Sequence, residues 1–280
     1  MKPAYNPLSR TFIYAVLLLW SVSVLYPLLW TLLDALKNND QFFRNAPWAL
    51  PQFPLLWSNF SYVWDKYNFD AYFFNSIIVT LGGTFLGLLL AAMTAYVIAR
   101  YPFKGSNALY LLYLASMMIP FNLALIPLFF LMNRLNLINT HLGLVLVYAS
   151  SVLAFGIFVL VGFYKSLPKE LDEAAQIDGA SEYGVFFRVM LPLSQPGLVT
   201  VAIVNILNIW NEYVIGTILV NDPEKYTLPV GIAVMQAEMQ YRTEWGPLFA
   251  ALLITIIPVL VVYIFFQRQI ASGVTAGAVK

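Results

Sequence analysis

Few side chains in this sequence can do chemistry, and the best placed of them sit inside apolar runs. Asn205, Asn208 and Glu212 follow one another at spacings of three and four residues. That periodicity lays them along one stripe of a helix. Asn211 and Tyr213 flank the stripe, and Asn122 and Asn75 stand in other apolar runs. Amides and carboxylates exchange hydrogen bonds with hydroxyl groups, and aromatic rings stack on the faces of hydroxylated rings. The stripe therefore suits the passage of a polar, hydroxyl-rich solute. It equally suits hydrogen bonding between neighbouring helices. The residues themselves leave both readings open.

Catalysis and metal binding have no comparable set. There is no cysteine, which removes disulfides, thiolate ligands and thiolate nucleophiles. His141 is the only histidine, alone near the expected start of a helix, and reads as a boundary residue rather than a ligand. No phosphate-cradling glycine loop with lysine, acid pair or nucleophile–base set is found. The sequence thus predicts no enzyme, no cofactor and no metal site. A net charge of +1 supplies no basic field for nucleic acid.

A second candidate is the polar segment Ser166–Gly197. Pro168 suits a first helical turn, and Glu170, Asp172 and Glu173 complement the positive end of a helix dipole. Leu171, Ala174, Ala175 and Asp178 recur at helical spacing and are expected on one face. Small alanines let another surface approach closely. Gly179 supplies a helix stop. Two short helices meeting at Gly179 would form a compact knob suited to a socket in another protein. Phe186, Phe187, Val189 and Leu191 lead back toward apolar surroundings, with Pro192 and Pro196 closing the element. The alternative is an amphipathic helix lying on a bilayer. Its acidic start is repelled by anionic lipid, which argues against that reading.

These residues must be positioned by a membrane bundle. Hydrophobic residues make up 60% of the chain and charged residues 10%. Soluble domains carry roughly 25% charged residues, so this exterior cannot face water throughout. A helix crosses the hydrocarbon core with about 20 apolar residues. Charge-free runs of that order give six spans, at about 11–33, 71–99, 106–132, 142–164, 195–220 and 246–267, with a polar loop at 165–194. The first run is too long for a signal peptide and lacks a small-residue cleavage site, so it reads as a retained anchor. Placing the N-terminus inside leaves the larger share of Lys and Arg in cytoplasmic loops, including Arg100, Lys104, Lys165, Lys169 and Arg188. The knob then faces the cytoplasm, and both termini do too. The segment 34–70 lies outside. Its aromatics, Trp48, Phe53 and Trp57 among them, read as a belt at the membrane surface, with partner docking as the alternative. Pro120 and Pro127, with Asn122 between them, read as a deliberately broken helix.

The polar loop resembles a known family. Glu173-Ala174-Ala175, three residues, Gly179, nine residues, Val189, one residue and Leu191-Pro192 match the EAA loop of ABC importer permeases, with Val189 in place of Ile. Asp178-Gly179-Ala180 and Pro196 are similar to its carbohydrate branch. So are Trp210-Asn211-Glu212-Tyr213, Tyr226-Thr227-Leu228-Pro229-Val230-Gly231 and the closing Thr275-Ala276-Gly277-Ala278-Val279-Lys280. The resemblance covers nearly the whole chain and includes the smaller maltose permease subunit. It implies an all-α, six-span type I ABC importer permease in a bacterial or archaeal cytoplasmic membrane, importing a sugar or oligosaccharide. It implies that Glu173, Ala174, Ala175, Asp178, Gly179, Ala180 and Pro192 couple the chain to a cytoplasmic ATPase. The implied partners are a homologous second permease, two copies of the ATP-binding subunit and an extracytoplasmic sugar-binding protein, all around a lipid-embedded chain. In such a complex the external residues Gln236, Glu238, Gln240, Tyr241 and Arg242 would reach toward the binding protein, and Gly277, Val279 and Lys280 toward the ATPase pair. The alternative, an ion-coupled secondary transporter, calls for ionisable relays in several spans, and only Glu212 offers itself.

Overall fold

The computed structural model of the chain describes residues 7–239 and 244–276. Among the described residues the secondary structure is helical, without strands. In chain order the helices are α1 (Pro7–Ala35), α2 (Asn39–Arg44), α3 (Ser58–Lys66), α4 (Phe69–Arg100), α5 (Ser106–Ser116), α6 (Leu125–Arg134) and α7 (His141–Ser166). Then come α8 (Glu170–Ile177), α9 (Glu182–Val185), α10 (Leu191–Leu193), α11 (Gln195–Trp210), α12 (Val214–Leu219), α13 (Leu228–Glu238) and α14 (Trp245–Ala276). In hydrocarbon the backbone has no water to bond, so a spanning segment satisfies itself as a helix. Four helices, α1, α4, α7 and α14, are long and apolar enough to cross a membrane unbroken.

The remaining apolar segments are bent. Between α5 and α6 the chain turns by 96°, through Pro120 and a short 3-10 turn at Phe121–Ala124. Proline lacks a donor and cannot continue the helix, as expected of Pro120. The helical stretch Glu182–Leu193 meets α11 at 72°. A single π turn at Phe186–Met190 lies within that stretch and buries Phe186 and Met190. The run 195–220 is itself divided, because α11 ends at Trp210 and α12 begins at Val214. Pro27 and Pro258 lie inside helices that continue through them.

The chain forms two compact units, Met1–Phe69 with Ile232–Ile257, and Asp70–Gly231 with Pro258–Lys280. In the first unit α1 is largely exposed, and only Asp34 and Ala35 at its end are buried. There Lys37 and Asp34 pair at 2.8 Å, each side chain 5% exposed. The Asn59 amide of α3 donates to the carbonyls of Ala35 at 2.7 Å and Lys37 at 3.0 Å. Between α2 and α3 the aromatic segment carries rings that face outward, Trp48, Phe53 and Trp57 among them.

The second unit holds the main core. Ala91, Ala95 and Tyr96 of α4 pack with Tyr148, Val152, Ile157 and Leu160 of α7 and Val201 of α11. Close approach of α4 and α7 depends on missing side chains. A methyl at Gly87 would lie 2.6 Å from both the Ala149 carbonyl oxygen and the Val152 Cβ, and one at Gly156 would lie 2.8 Å from the Ala91 Cβ. Without a hydrophobic drive between helices in lipid, such small-residue contacts carry the packing. Gly162, also on α7, has open space at the same position. Gly87→Ala should therefore destabilise the purified protein by about 1–3 kcal/mol, while Gly162→Ala should leave thermal unfolding unchanged or slightly raised. Equal melting temperatures for the two variants would contradict this packing.

Candidate functional site

The polar loop folds as two short helices joined at Gly179. Helix α8 places Glu170, Asp172 and Glu173 in its first turn, where acidic groups complement the dipole. At its end the Gly179 N–H donates to the Gln176 carbonyl and the Ala180 N–H to the Ala175 carbonyl, both at 3.0 Å. These two bonds, with Gly179 at φ +82°, make a Schellman stop. Nothing lies within 4 Å of a Cβ built on Gly179, so the glycine is required by its backbone and not by crowding. Helix α9 restarts at once, with the Ser181 hydroxyl accepting from the Gly184 N–H at 3.2 Å. The result is a small projecting knob.

Its faces differ from the expected pattern. Leu171, Ala175 and Ala180 are half-buried, and Ala175 and Ala180 pack on the core. Glu173, Ala174, Asp178 and Gly179 are exposed. The single face expected for Leu171, Ala174, Ala175 and Asp178 therefore splits in two. Leu171 and Ala175, four residues apart, serve the inner side, while Ala174 and Asp178 are turned outward. Pro192 sits in α10, on the return toward α11, and not at the tip. Sequence reasoning passed over two residues here. Ile177 is 86% exposed and Tyr183 76% exposed, giving the knob apolar groups that water does not reward. Their signal was an isoleucine and a tyrosine standing among charges.

The polar stripe also divides. Asn205 is buried, and its amide donates to its own helix at the Val201 carbonyl, 2.8 Å away. Asn208 and Asn211 are exposed, as is Tyr213 at 51%. The Asn211 amide donates to the Leu207 carbonyl at 2.7 Å. Glu212 lies in the gap between α11 and α12. Its carboxylate accepts from the Tyr148 hydroxyl at 2.5 Å, from the Ile215 N–H at 2.8 Å and from the Gly216 N–H at 3.3 Å. It therefore fills the free donors at the start of α12 and ties that helix to α7. Of the residues read as one stripe, Asn205 and Glu212 are committed to helix bonding, whereas Asn208 remains open. Asn122 is exposed within the 3-10 turn after Pro120. Asn75 is structural, with its amide donating to the carbonyls of Glu224 at 2.8 Å and Tyr226 at 3.0 Å.

Of the residues expected to lie outside, Gln236 and Glu238 are exposed at the end of α13. Gln240, Tyr241 and Arg242 lie outside the described residues, as do Gly277, Val279 and Lys280. Glu244, in the same loop, is 8% exposed rather than solvated. It accepts from the hydroxyls of Tyr62 at 2.9 Å and Tyr67 at 3.2 Å, with the Lys66 ammonium 3.7 Å away. Burial and the adjacent Glu244 carboxylate push the Tyr67 hydroxyl well above its usual pKa. Among the described residues no group of acids, histidines or cysteines forms a metal centre.

Several long apolar helices together with a glycine-jointed polar knob are the form of a membrane transport permease. Residues 83–276 match the family described as binding-protein-dependent transport system inner membrane component. The chain belongs to that family. It is 40% identical over 267 residues to the diacetylchitobiose uptake system permease protein NgcG of Streptomyces coelicolor, covering 95% of this chain and 88% of that one. It is 35% identical over 257 residues to the arabinooligosaccharides transport system permease protein AraQ of Halalkalibacterium halodurans, covering 91% of each. Its fold aligns with a chain of a bacterial ABC transporter involved in the import of alginate, at a TM-score of 0.80 and 23% identity, covering 95% of this chain and 99% of that one. The chain is an ABC importer permease, and the all-helical importer fold expected from the sequence is the fold observed.

The Glu212 geometry carries its own test. Glu212→Ala removes an acceptor from two backbone donors and from a buried tyrosine, and should cost about 1–3 kcal/mol of stability. Glu212→Gln should keep part of it, and Asn208→Ala should cost almost nothing. Thermal unfolding of the three purified variants checks the order.

Proposed function

We propose that this chain forms one half of the translocation path of a sugar or oligosaccharide importer, paired with a homologous second permease. Two copies of a cytoplasmic ATP-binding subunit grip the knobs, and an extracytoplasmic sugar-binding protein delivers substrate from the opposite side. Both termini and the knob lie in the cytoplasm. The chain itself catalyses no reaction. Support for the substrate class comes from the relatives' names, which include diacetylchitobiose, arabinooligosaccharides and starch degradation products. A solved structure of similar fold is a bacterial alginate ABC transporter in complex with a periplasmic protein bound to an alginate pentasaccharide.

The observation that carries the coupling role is the exposed rim of the knob. Glu173, Ala174, Ile177 and Asp178 present small, apolar and acidic groups on one projection, held in shape by the left-handed turn at Gly179. The small side chain of Ala174 beside the exposed Ile177 suits insertion into a cleft, where burial of Ile177 would contribute about 1.5–3 kcal/mol. Closure of the ATPase pair around nucleotide would displace the knob, and the spans behind it would rock between outward- and inward-facing states. On this reading Asn208, Asn211, Tyr213 and Asn122 contribute hydroxyl-bonding and stacking groups to the path. Gln236 and Glu238 face the binding protein together with Gln240, Tyr241 and Arg242.

The test separates the turn from mere bulk. At φ +82° a β-branched residue is strained by about 1–2 kcal/mol, whereas asparagine tolerates the left-handed region. In proteoliposomes holding the full importer, Gly179→Val should abolish ATP-driven uptake of labelled diacetylchitobiose or arabino-oligosaccharides. Gly179→Asn should retain most of it. Full uptake by Gly179→Val with the ATPase still assembled would remove the coupling role.

A further inference from the structure

Arg100 closes the inner end of α4 and does more than mark a membrane boundary. Its guanidinium is 5% exposed and pairs with the Asp172 carboxylate at 3.1 Å. The same guanidinium donates to the Pro168 carbonyl at 3.1 Å. One guanidinium thus hydrogen-bonds the entry to α8 and lies in ionic contact with its first turn. Asp172 is 16% exposed at its side chain and also accepts from the Tyr96 hydroxyl at 3.4 Å. The Tyr96 ring lies one turn before Arg100 on α4. It packs on Phe186 at 5.2 Å and on Tyr164 at 5.6 Å. Phe186 belongs to the π turn on the return limb of the knob, and Tyr164 to the inner end of α7.

Both limbs of the knob are therefore fastened to one side chain pair, Tyr96 and Arg100, on α4. The tip is fastened to nothing comparable: Ile177 and Tyr183 are exposed, and the joint at Gly179 has open space around it. A push on the tip cannot be absorbed by sliding α8 along α4, because that would separate a nearly dry ion pair and leave its charges unsatisfied. We propose that the Arg100–Asp172–Tyr96 cluster is the clamp through which displacement of the knob is delivered to α4, making Arg100 a positioning residue for coupling. Arg100 and Tyr96 fix the knob to the second span, so that knob and span move as one body. The inference rests on the coupling role proposed above for the knob.

The experiment measures sugar delivered per ATP hydrolysed by the complete importer in proteoliposomes. It uses the binding protein with labelled diacetylchitobiose or arabino-oligosaccharides, whichever the wild-type complex takes up. In Arg100→Ala the ratio should fall roughly tenfold, within the range of ordinary coupling energies, while the ATPase subunits still co-purify. Arg100→Lys keeps the charge but cannot reach both Asp172 and Pro168, and should give an intermediate ratio. The exchange of both charges, Arg100→Asp with Asp172→Arg, should recover part of the loss. A role confined to folding would lower uptake and ATP hydrolysis together and leave their ratio at the wild-type value in all three. That result, or a wild-type ratio in Arg100→Ala, overturns the clamp. If sugar uptake by the wild-type complex proved independent of the ATPase, the importer reading itself would fall, and the clamp with it.

Discussion

A backbone surrounded by hydrocarbon must find its hydrogen-bond partners within the protein, and the breaks in the apolar runs of this chain are organised around that constraint. At Asn211–Tyr213 the fifth apolar run breaks, and the carboxylate of Glu212 takes the free N–H groups of Ile215 and Gly216. Its remaining capacity is taken by the Tyr148 hydroxyl from α7. The side chain that looked most like a transported solute's partner is thereby the one that makes the break tolerable. At Pro120 a 3-10 turn leads into α6 after the 96° bend. Outside the apolar runs, at the exposed Gly179, carbonyls at the end of α8 are closed by the Schellman pair. An interrupted helix is a place where a bundle can bend, and each interruption here has its own local bonding.

The same scarcity governs charge. With only 10% of residues charged, the core is apolar and the buried charges act at particular joints. Asp34 and Lys37 sit together at the end of α1, where the Lys37 ammonium also lies over the rings of Trp30 and Phe42. Glu244 gathers the hydroxyls of Tyr62 and Tyr67. Arg100 holds Asp172 and Pro168. A buried pair of this kind adds little net stability over a well-packed apolar substitute, since desolvation offsets the attraction. Its value lies in permitting one arrangement. For a transport subunit that works by moving helices, joints that are specific without being strongly stabilising suit elements that move as rigid bodies.

Much of this was legible in the chain itself. The absence of charge over long runs dictated helices and membrane burial, because hydropathy and length are local properties. Pro120 announced a break because a proline lacks its donor in any fold. The knob was readable because capping chemistry is local too: acids at the start of α8 and glycine at its stop. The spacing of Glu173-Ala174-Ala175, Gly179 and Leu191-Pro192 then placed the chain in its family.

What the sequence could not assign is which neighbour each polar group meets, since helical periodicity gives a face but not what the face looks at. It grouped Asn205, Asn208 and Glu212 correctly by angle, yet a break in the helix and the nearness of Tyr148 gave them different duties. It set Ala174 on one face with Ala175, but packing on the core turned Ala175 inward and left Ala174 free. Nothing local to Glu244 marks it as a buried acceptor; Tyr62 and Tyr67, far away in the chain, make it one. Arg100 and Asp172, separated by three helices, became partners only through the packing of α4 against the base of the knob. The sequence by itself determined where helices form and stop, because those preferences are settled within a few residues. Only the tertiary structure decided which charges and amides are spent on holding the bundle and which stay open for work, because that depends on contacts between segments remote along the chain.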